Sequence, residues 1–399
     1  MHKPTSPFTR EQLLPKEERL EISKEKGALF IGIPKEMSFQ EKRVCLTPDA
    51  VSALTNNGHR VMIESGAGDN AFFNDHEYSE AGAEIAMDRA KVFRCPIILK
   101  VEPPTIEEIE LLNPKSLLIS AIQMKMRHKD YFKKLSEKRI TALGFEFIKD
   151  QDGAFPAVRQ LSEIAGSASI LIASEIMSIT NQGNGLMLGN ISGVPPTEVV
   201  IIGAGTVGEY AARSAIGLGA NIRVFDNSIS KLRALQANLG RTIYTSTMQP
   251  KNLQKALMRC DVAIGAAKGK NRAPILVNET LVEQMKPGAV IVDVSIDMGG
   301  CFETSEVTSH DNPTFVKHDV IHYCVPNIPA RYARTSSVSI SNIFTPYLLK
   351  IAEDGGIENS LRFDKGLKNG LYFYHGILTN KSIAEWYDLD CSDANLLIF

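Results

Sequence analysis

The chain has 399 residues, 44% hydrophobic and 23% charged, and at roughly 100–200 residues per domain it holds two or three globular domains. Lys plus Arg is 44 and Asp plus Glu is 46, a formal net charge of −2, so no basic excess favours a nucleic acid or an anionic membrane face. No apolar run approaches the roughly 20 residues of a membrane span, and the six cysteines are far apart with no CxxC pair, which argues against a disulfide framework or a zinc site.

In chain order, residues 1–28 read as a charged N-terminal arm with a helical patch at 11–24. Unlike a signal peptide, the arm carries both charge signs. Short β-rich runs then alternate with helical patterns. Strands are expected at 29–33, 60–64, 96–101, 117–122 and 140–147, and helices at 48–56, 105–112 and 128–138. A long helical pattern spans 162–180. Gly183, Gly185, Gly189, Gly193 and Pro195–Pro196 mark a loop. A second alternating series follows, with strands at 199–203, 221–226, 242–245, 262–266, 289–294 and 321–325. From 336 onward the chain reads as helical, most clearly at 343–352. Such alternation builds parallel sheets covered by helices on both faces, an α/β class. Composition and elements together lead to the expectation of a soluble, cytoplasmic protein.

Residues 199–208 read Val-Val-Ile-Ile-Gly-Ala-Gly-Thr-Val-Gly. A GxGxxG alone is weak, but here a strand precedes it and a helical pattern follows. Gly203 permits the tight turn, Gly205 lets the backbone approach a pyrophosphate, and Gly208 lets the helix pack on the strand. The helix N-terminus adds unpaired N–H groups for phosphates. Asp226 ends the next strand, about 20 positions on, where a carboxylate accepts ribose hydroxyls and repels a 2′-phosphate. The expected cofactor is therefore NAD rather than NADP. Lys231 either pairs with Asp226 or faces the adenosine. The plain alternative is a structural glycine turn with Asp226 as a helix cap.

Several segments resemble the alanine dehydrogenase and pyridine nucleotide transhydrogenase alpha-subunit family. They are Ile31-Gly-Ile-Pro-Lys-Glu36, Arg43-Val-Cys-Leu-Thr-Pro48, Glu64-Ser-Gly-Ala-Gly68, Ala81-Gly-Ala-Glu84 and Ser162-Glu-Ile-Ala-Gly166. Two later segments, Asp297-Met-Gly-Gly-Cys-Phe-Glu303 and Tyr323-Cys-Val-Pro-Asn-Ile-Pro329, are closer to the alanine dehydrogenase branch. The resemblance implies two Rossmann-like doubly wound domains with a cleft between them: a substrate domain at 29–155 and 334–399, and an NAD domain at 156–333. It implies a homo-oligomer, in the family a hexamer, acting on small molecules (L-alanine, or pyruvate and ammonia). Carried over residue by residue, NAD would touch Ser162, Gly205, Thr206, Val207, Asp226, Lys231, Val294, Ser295, Ile296, Asp297, Pro326, Asn327, Ile328 and Pro329.

The reaction needs a cation for the substrate carboxylate, and Arg43 supplies one in the resemblance; the bland reading is a surface arginine. Asp297 assists proton transfer or holds the nicotinamide ribose, unless it merely caps the Gly299–Gly300 turn. Two family residues are replaced. Glu102 stands where a substrate-binding lysine is expected, and Gln123 where the catalytic histidine is expected. Glutamine does not titrate. Alanine turnover is thus expected to be weak or shifted to another substrate. An ion pair between Glu102 and Arg43 is expected; His128 reads as a solvent-facing residue at the start of the next helix, and the alternative is that Lys125 and His128 substitute for the lost groups. The other readings are a non-catalytic NAD-binding member and a soluble transhydrogenase-like component. No histidines show metal-ligand spacing.

Overall fold

The computed structural model describes residues 27–398, apart from 39, 125, 126, 182, 270 and 271. The expected helical patch at 11–24 and Lys125 lie outside the described residues. The first sheet contains β1 (Phe30–Ile33), β2 (Arg60–Glu64), β3 (Glu84–Ala86), β4 (Ile97–Leu99), β5 (Leu117–Ser120) and β6 (Thr141–Gly144). The second contains β7 (Glu198–Ile202), β8 (Asn221–Phe225), β9 (Tyr244–Ser246), β10 (Val262–Gly265), β11 (Val290–Asp293), β12 (Thr314–Lys317) and β13 (Val320–Tyr323). Two C-terminal strands, β14 (Leu371–Tyr374) and β15 (Ile377–Leu378), return to the first sheet. The strand orders are β15-β14-β6-β5-β4-β1-β2-β3 and β12-β13-β11-β10-β7-β8-β9. Pairing is parallel except at β14–β6, β14–β15 and β12–β13.

Each sheet is a doubly wound α/β sheet, and alternation within its strands explains why. Val199 and Ile201 point into one core, Val200 and Ile202 into another, because successive strand residues face opposite sides. Both faces are covered, so the inner strands read as continuous apolar runs. Strand order reverses between β1 and β4 in the first sheet and between β7 and β10 in the second. Ligands bind outside the carboxyl ends of strands at such a point.

Two helices of 21 residues carry the chain between the sheets, Pro156–Ile176 and Ala333–Glu353. The first begins six residues before the expected 162, because Pro156 occupies the first turn, where its fixed φ favours helix entry. It crosses the Thr206–Gly217 helix closely: a Cβ on Gly166 would lie 2.3 Å from the Val207 carbonyl oxygen. The wholly helical C-terminus expected from 336 is corrected. The aromatic run at β14 turns back at His375 and Gly376, both at positive φ, and pairs antiparallel with β6.

The core also holds a histidine, His322, on β13. It is fully buried and stacked on Phe315. Its Nε2 is 2.8 Å from the Thr304 hydroxyl and its Nδ1 2.9 Å from the Val320 carbonyl. Burial pushes its pKa down to about 4. Below about pH 6.5 the unfolded chain binds a proton that the folded chain refuses. Stability should hold above that pH and decline as pH falls towards 4, with His322 accounting for up to about 3 kcal/mol. Urea midpoints between pH 7.5 and 4.5 should fall more steeply for the parent than for His322→Asn; equal slopes would remove His322 as the cause.

Candidate active site

From Ser162 onward, every expected site residue except Ser162, Asp226 and Lys231 lies in or directly after the turn that follows β7, β11 or β13. The glycine turn closes β7. Gly203 has φ 114°, and a Cβ there would lie 2.4 Å from the Ala266 carbonyl oxygen in the turn after β10. A Cβ on Gly208 would lie 1.9 Å from the Gly203 carbonyl oxygen, so Gly208 serves packing beneath the turn. Gly205 differs: a Cβ there would meet nothing within 4 Å. Its missing side chain keeps space open, as a close-approaching ligand requires. Gly205 is also the N-cap of the Thr206–Gly217 helix and places no side chain on the first N–H groups. These groups remain available to a phosphate, and the turn fits a dinucleotide.

A cleft of about 560 Å³ opens over this turn, lined among others by Ser162, Gly203, Gly205, Thr206, Val207, Asp226 and Lys231. Phe155, Arg159, Ala266 and Lys268 also line it, and sequence reading missed them. The position of Ala266 and Lys268 after β10, across the reversal point from β7, was the available signal. Asp226 spends one lone pair of each oxygen on the backbone: Oδ2 accepts the Ala204 N–H and Oδ1 the Ser228 N–H, both at 2.8 Å. A carboxylate has about four acceptor sites, so capacity for hydroxyls remains. Lys231 forms no ion pair with Asp226 among the described residues.

Val294, Ser295, Ile296, Asp297, Pro326, Asn327, Ile328 and Pro329 do not line this cleft. They form an adjoining wall built on the turns after β11 and β13. Ser295 and Ile296 are buried in the Val294–Met298 turn, and Ile328 and Pro329 in the Ile328–Tyr332 turn. Asn327 adopts φ 56°, and its N–H donates to Asp297 Oδ1 at 2.9 Å. Asp297 thus caps the Asn327 turn rather than the Gly299–Gly300 turn. Asp297 is exposed, yet the surrounding protein depletes water around it and pushes the carboxyl up.

The opposite wall is the loop after β1. Arg43 is only 5% exposed, which rules out the surface reading. Its Nε and Nη2 donate to Glu41 Oε1 and Oε2 at 2.6 and 2.5 Å. Nη2 also donates to Asn327 Oδ1 at 3.0 Å, and Asn327 Nδ2 donates to Glu41 Oε2 at 3.1 Å. Despite burial, the Arg43 charge holds the Glu41 carboxyl below its usual range. The third guanidinium nitrogen, Nη1, is buried without any hydrogen-bond partner. The expected Glu102–Arg43 ion pair is therefore corrected. Glu41, two residues away and on the same loop, takes the guanidinium fork instead.

Glu102 follows β4. It is half-buried and forms no ion pair among the described residues. Burial and then the Glu41 charge push its carboxyl up. Lys100 does not compensate it: Nζ lies 2.9 Å from Glu36 and 3.4 Å from Glu108. Glu36 also accepts the Val101 N–H at 2.7 Å, and burial pushes its carboxyl up to about 7. Arg89 continues the ion-pair chain, joining Glu108 to Glu64. Sequence reading quoted Glu36 only as part of a motif and did not single out Glu41, Lys100 or Glu108.

Gln123 lies beyond the end of β5, at φ 46°, not on an extended strand. Its N–H and that of Ile122 donate to Glu146 Oε1 at 3.2 and 2.8 Å. His128 caps the Lys129–Glu137 helix, exposed and 3.0 Å from Asp130; it faces solvent and substitutes for nothing in the cleft. Among the described residues, no group of three His, Cys, Asp or Glu is arranged to hold a metal, and no helix is long and apolar enough to cross a membrane.

This arrangement can be compared with known proteins. Residues 32–165 match the family model "Alanine dehydrogenase/PNT, N-terminal domain", and residues 169–381 the model "Alanine dehydrogenase/PNT, C-terminal domain". The chain is 36% identical over 362 residues to "Alanine dehydrogenase 2" of Staphylococcus aureus (strain USA300), covering 90% of this chain and 97% of the relative. A solved structure titled L-alanine dehydrogenase superposes with a TM-score of 0.85 at 34% identity, over 90% of this chain and 99% of that one. A transhydrogenase from Sinorhizobium meliloti shares the fold, with a TM-score of 0.76 at 21% identity, over 88% of this chain and 99% of that one. The chain belongs to the alanine dehydrogenase/PNT family.

Proposed function

We propose that the protein is an NAD-dependent oxidoreductase that oxidatively deaminates L-alanine to pyruvate and ammonia, reversibly. The observation that carries this reading is Arg43 Nη1, a buried guanidinium nitrogen with no acceptor, on a loop hydrogen-bonded to Asn327 in the turn after β13. An unsatisfied buried donor is costly, and a substrate carboxylate would satisfy it. Residues 29–155 and 334–399 form the substrate domain and 156–333 the NAD domain in this reading. Gly203, Gly205, Thr206 and Val207 cradle the pyrophosphate, Asp226 takes the adenosine ribose, and Ser162 and Lys231 flank it. Val294 to Asp297 and Pro326 to Pro329 border the nicotinamide end, which supplies the two-electron acceptor when bound. Arg43 anchors the substrate carboxylate, and Asp297 faces the reacting carbon. Gln123 orients rather than titrates, since its backbone is fixed by Glu146. Exposed Ile179, Met187 and Val194 support a homo-oligomer. An NAD-linked alanine oxidation assay, run with ammonia-dependent pyruvate reduction in reverse, tests the activity. Intact NAD binding with no turnover would leave a non-catalytic NAD-binding member.

The cofactor choice follows from Asp226. Calorimetric titration should show tighter binding of NAD than of NADP, because the carboxylate repels a 2′-phosphate. Asp226→Ala should narrow the gap, and equal or tighter NADP binding by the parent would reject the assignment.

Arg43→Lys keeps a charge but loses the fork and the free Nη1. The KM for alanine should rise by about tenfold or more, while NADH affinity stays close to the parent's. Steady-state kinetics matching the parent would place the substrate carboxylate elsewhere.

A further inference from the structure

We infer that Glu102 receives the α-ammonium group of the substrate and takes its proton, as the acid–base residue of the reaction. The inference rests on the amino-acid oxidation proposed above and adds a residue to it.

Two charged groups in this wall are incompletely matched. Arg43 Nη1 is a buried donor without an acceptor. Glu102 is a half-buried carboxylate that takes a hydrogen bond from Ser38 but forms no ion pair among the described residues. The charged groups acting on it are Glu41, Lys100 and Arg43, and each of these is already engaged. Arg43 is bidentate to Glu41, and Lys100 is held by Glu36 and Glu108. Neither cation can turn to Glu102 without abandoning a buried partner, which is strongly unfavourable.

The unmatched pair is complementary to an α-amino acid zwitterion, with its carboxylate and ammonium on adjoining atoms. The backbone places the two groups on adjoining elements as well. Arg43 is in the loop after β1 and Glu102 in the loop after β4, and these strands pair in parallel at the reversal point of the sheet.

A titrating group is required here, because Gln123 cannot serve. Burial raises the Glu102 carboxyl above its usual range, which favours uptake of a proton by the carboxylate. The ammonium N–H bond breaks and its proton goes to the Glu102 carboxylate. The freed nitrogen lone pair forms the C=N bond as the Cα–H bond breaks. That hydrogen leaves with both electrons to the oxidised nicotinamide, which is reduced. Asp297, on the opposite wall, is left for the water that attacks the resulting iminium carbon.

The test compares parent, Glu102→Gln and Glu102→Asp in alanine oxidation with NAD across pH. NADH fluorescence titration and thermal melting serve as controls. Glu102→Gln should lower kcat by about 100-fold or more, with NADH affinity within about threefold of the parent. The rise of kcat with pH seen in the parent should disappear in Glu102→Gln and persist, displaced, in Glu102→Asp. The aspartate variant keeps the inference testable where the amide variant does not fold. An unchanged kcat, or a raised KM with an unaltered pH rise, would overturn the inference while leaving alanine oxidation standing. Faster turnover of ornithine or lysine, lost in Glu102→Gln while alanine is unaffected, would assign Glu102 to a side-chain cation and also overturn it. No amino-acid oxidation by the parent would overturn both this inference and the proposed function.

Discussion

A set of hydrogen bonds fastens the Arg43 loop to one stretch of chain, and the placing of Arg43 depends on them. Asn327 Oδ1 accepts from Arg43 Nη2 at 3.0 Å. Ser337 Oγ accepts the Val44 N–H at 2.9 Å, and Ser341 Oγ the Thr47 N–H at 3.1 Å. Ser337 and Ser341 are fully buried and four residues apart on the Ala333–Glu353 helix, so they lie on one helical face. That helix begins just beyond the turn that presents Asn327 and carries the chain from the second sheet back to the first. One segment therefore leaves the second sheet, touches Arg43 and clamps its loop. Because Asn327 also donates to Asp297, the wall after β11 is tied to the same clamp. A shift of one sheet against the other would be felt at Arg43, Glu41 and Asp297 together.

Glu41 completes this constraint. A buried arginine without a carboxylate would be a strongly unfavourable isolated charge, and breaking such a pair typically costs about 3–5 kcal/mol. Glu41 neutralises Arg43 and fixes its plane through two parallel bonds. The remaining nitrogen, Nη1, is then aimed by the protein rather than by the ligand. Such an arrangement trades some electrostatic pull on a carboxylate for orientation.

Much of the scaffold was legible in the residues, and the reasons are physical. The Pro48–Asn56 helix carries its own boundary signals, Thr47 as N-cap and Pro48 in its first turn. The glycine turn declared itself because steric need is written into residue type: Gly203 and Gly208 cannot carry a Cβ. Short edge strands escaped, since three residues at β3 or two at β15 establish no period. The C-terminal strands escaped because their partner, β6, lies over 200 residues away in sequence, and strand pairing is a non-local property. In the candidate site, Arg43 and Asp297 were visible through motifs, but the partner of Arg43 was not. Glu41 lies two residues from Arg43 and Glu102 far along the chain, and sequence separation alone does not say which carboxylate the guanidinium meets. Only the path of the loop after β1 decides between them.

The same limit explains the buried ion pairs beneath the cleft. Glu36, Lys100, Glu108, Arg89 and Glu64 come from four separate stretches of the first domain, and no spacing announces that they meet. Their chain alternates in sign, so each charge is compensated by a neighbour, as buried charges require. It has a consequence for the cleft above it. Lys100 is the nearest lysine to Glu102 along the chain, and its ammonium is held by Glu36 and Glu108. The charge reversal at 102 is therefore not cancelled by a movement of the lysine two residues earlier. The carboxylate stays half-buried and raised, with a Ser38 hydrogen bond but no cation of its own among the described residues, because Lys100 and Arg43 are engaged by other carboxylates.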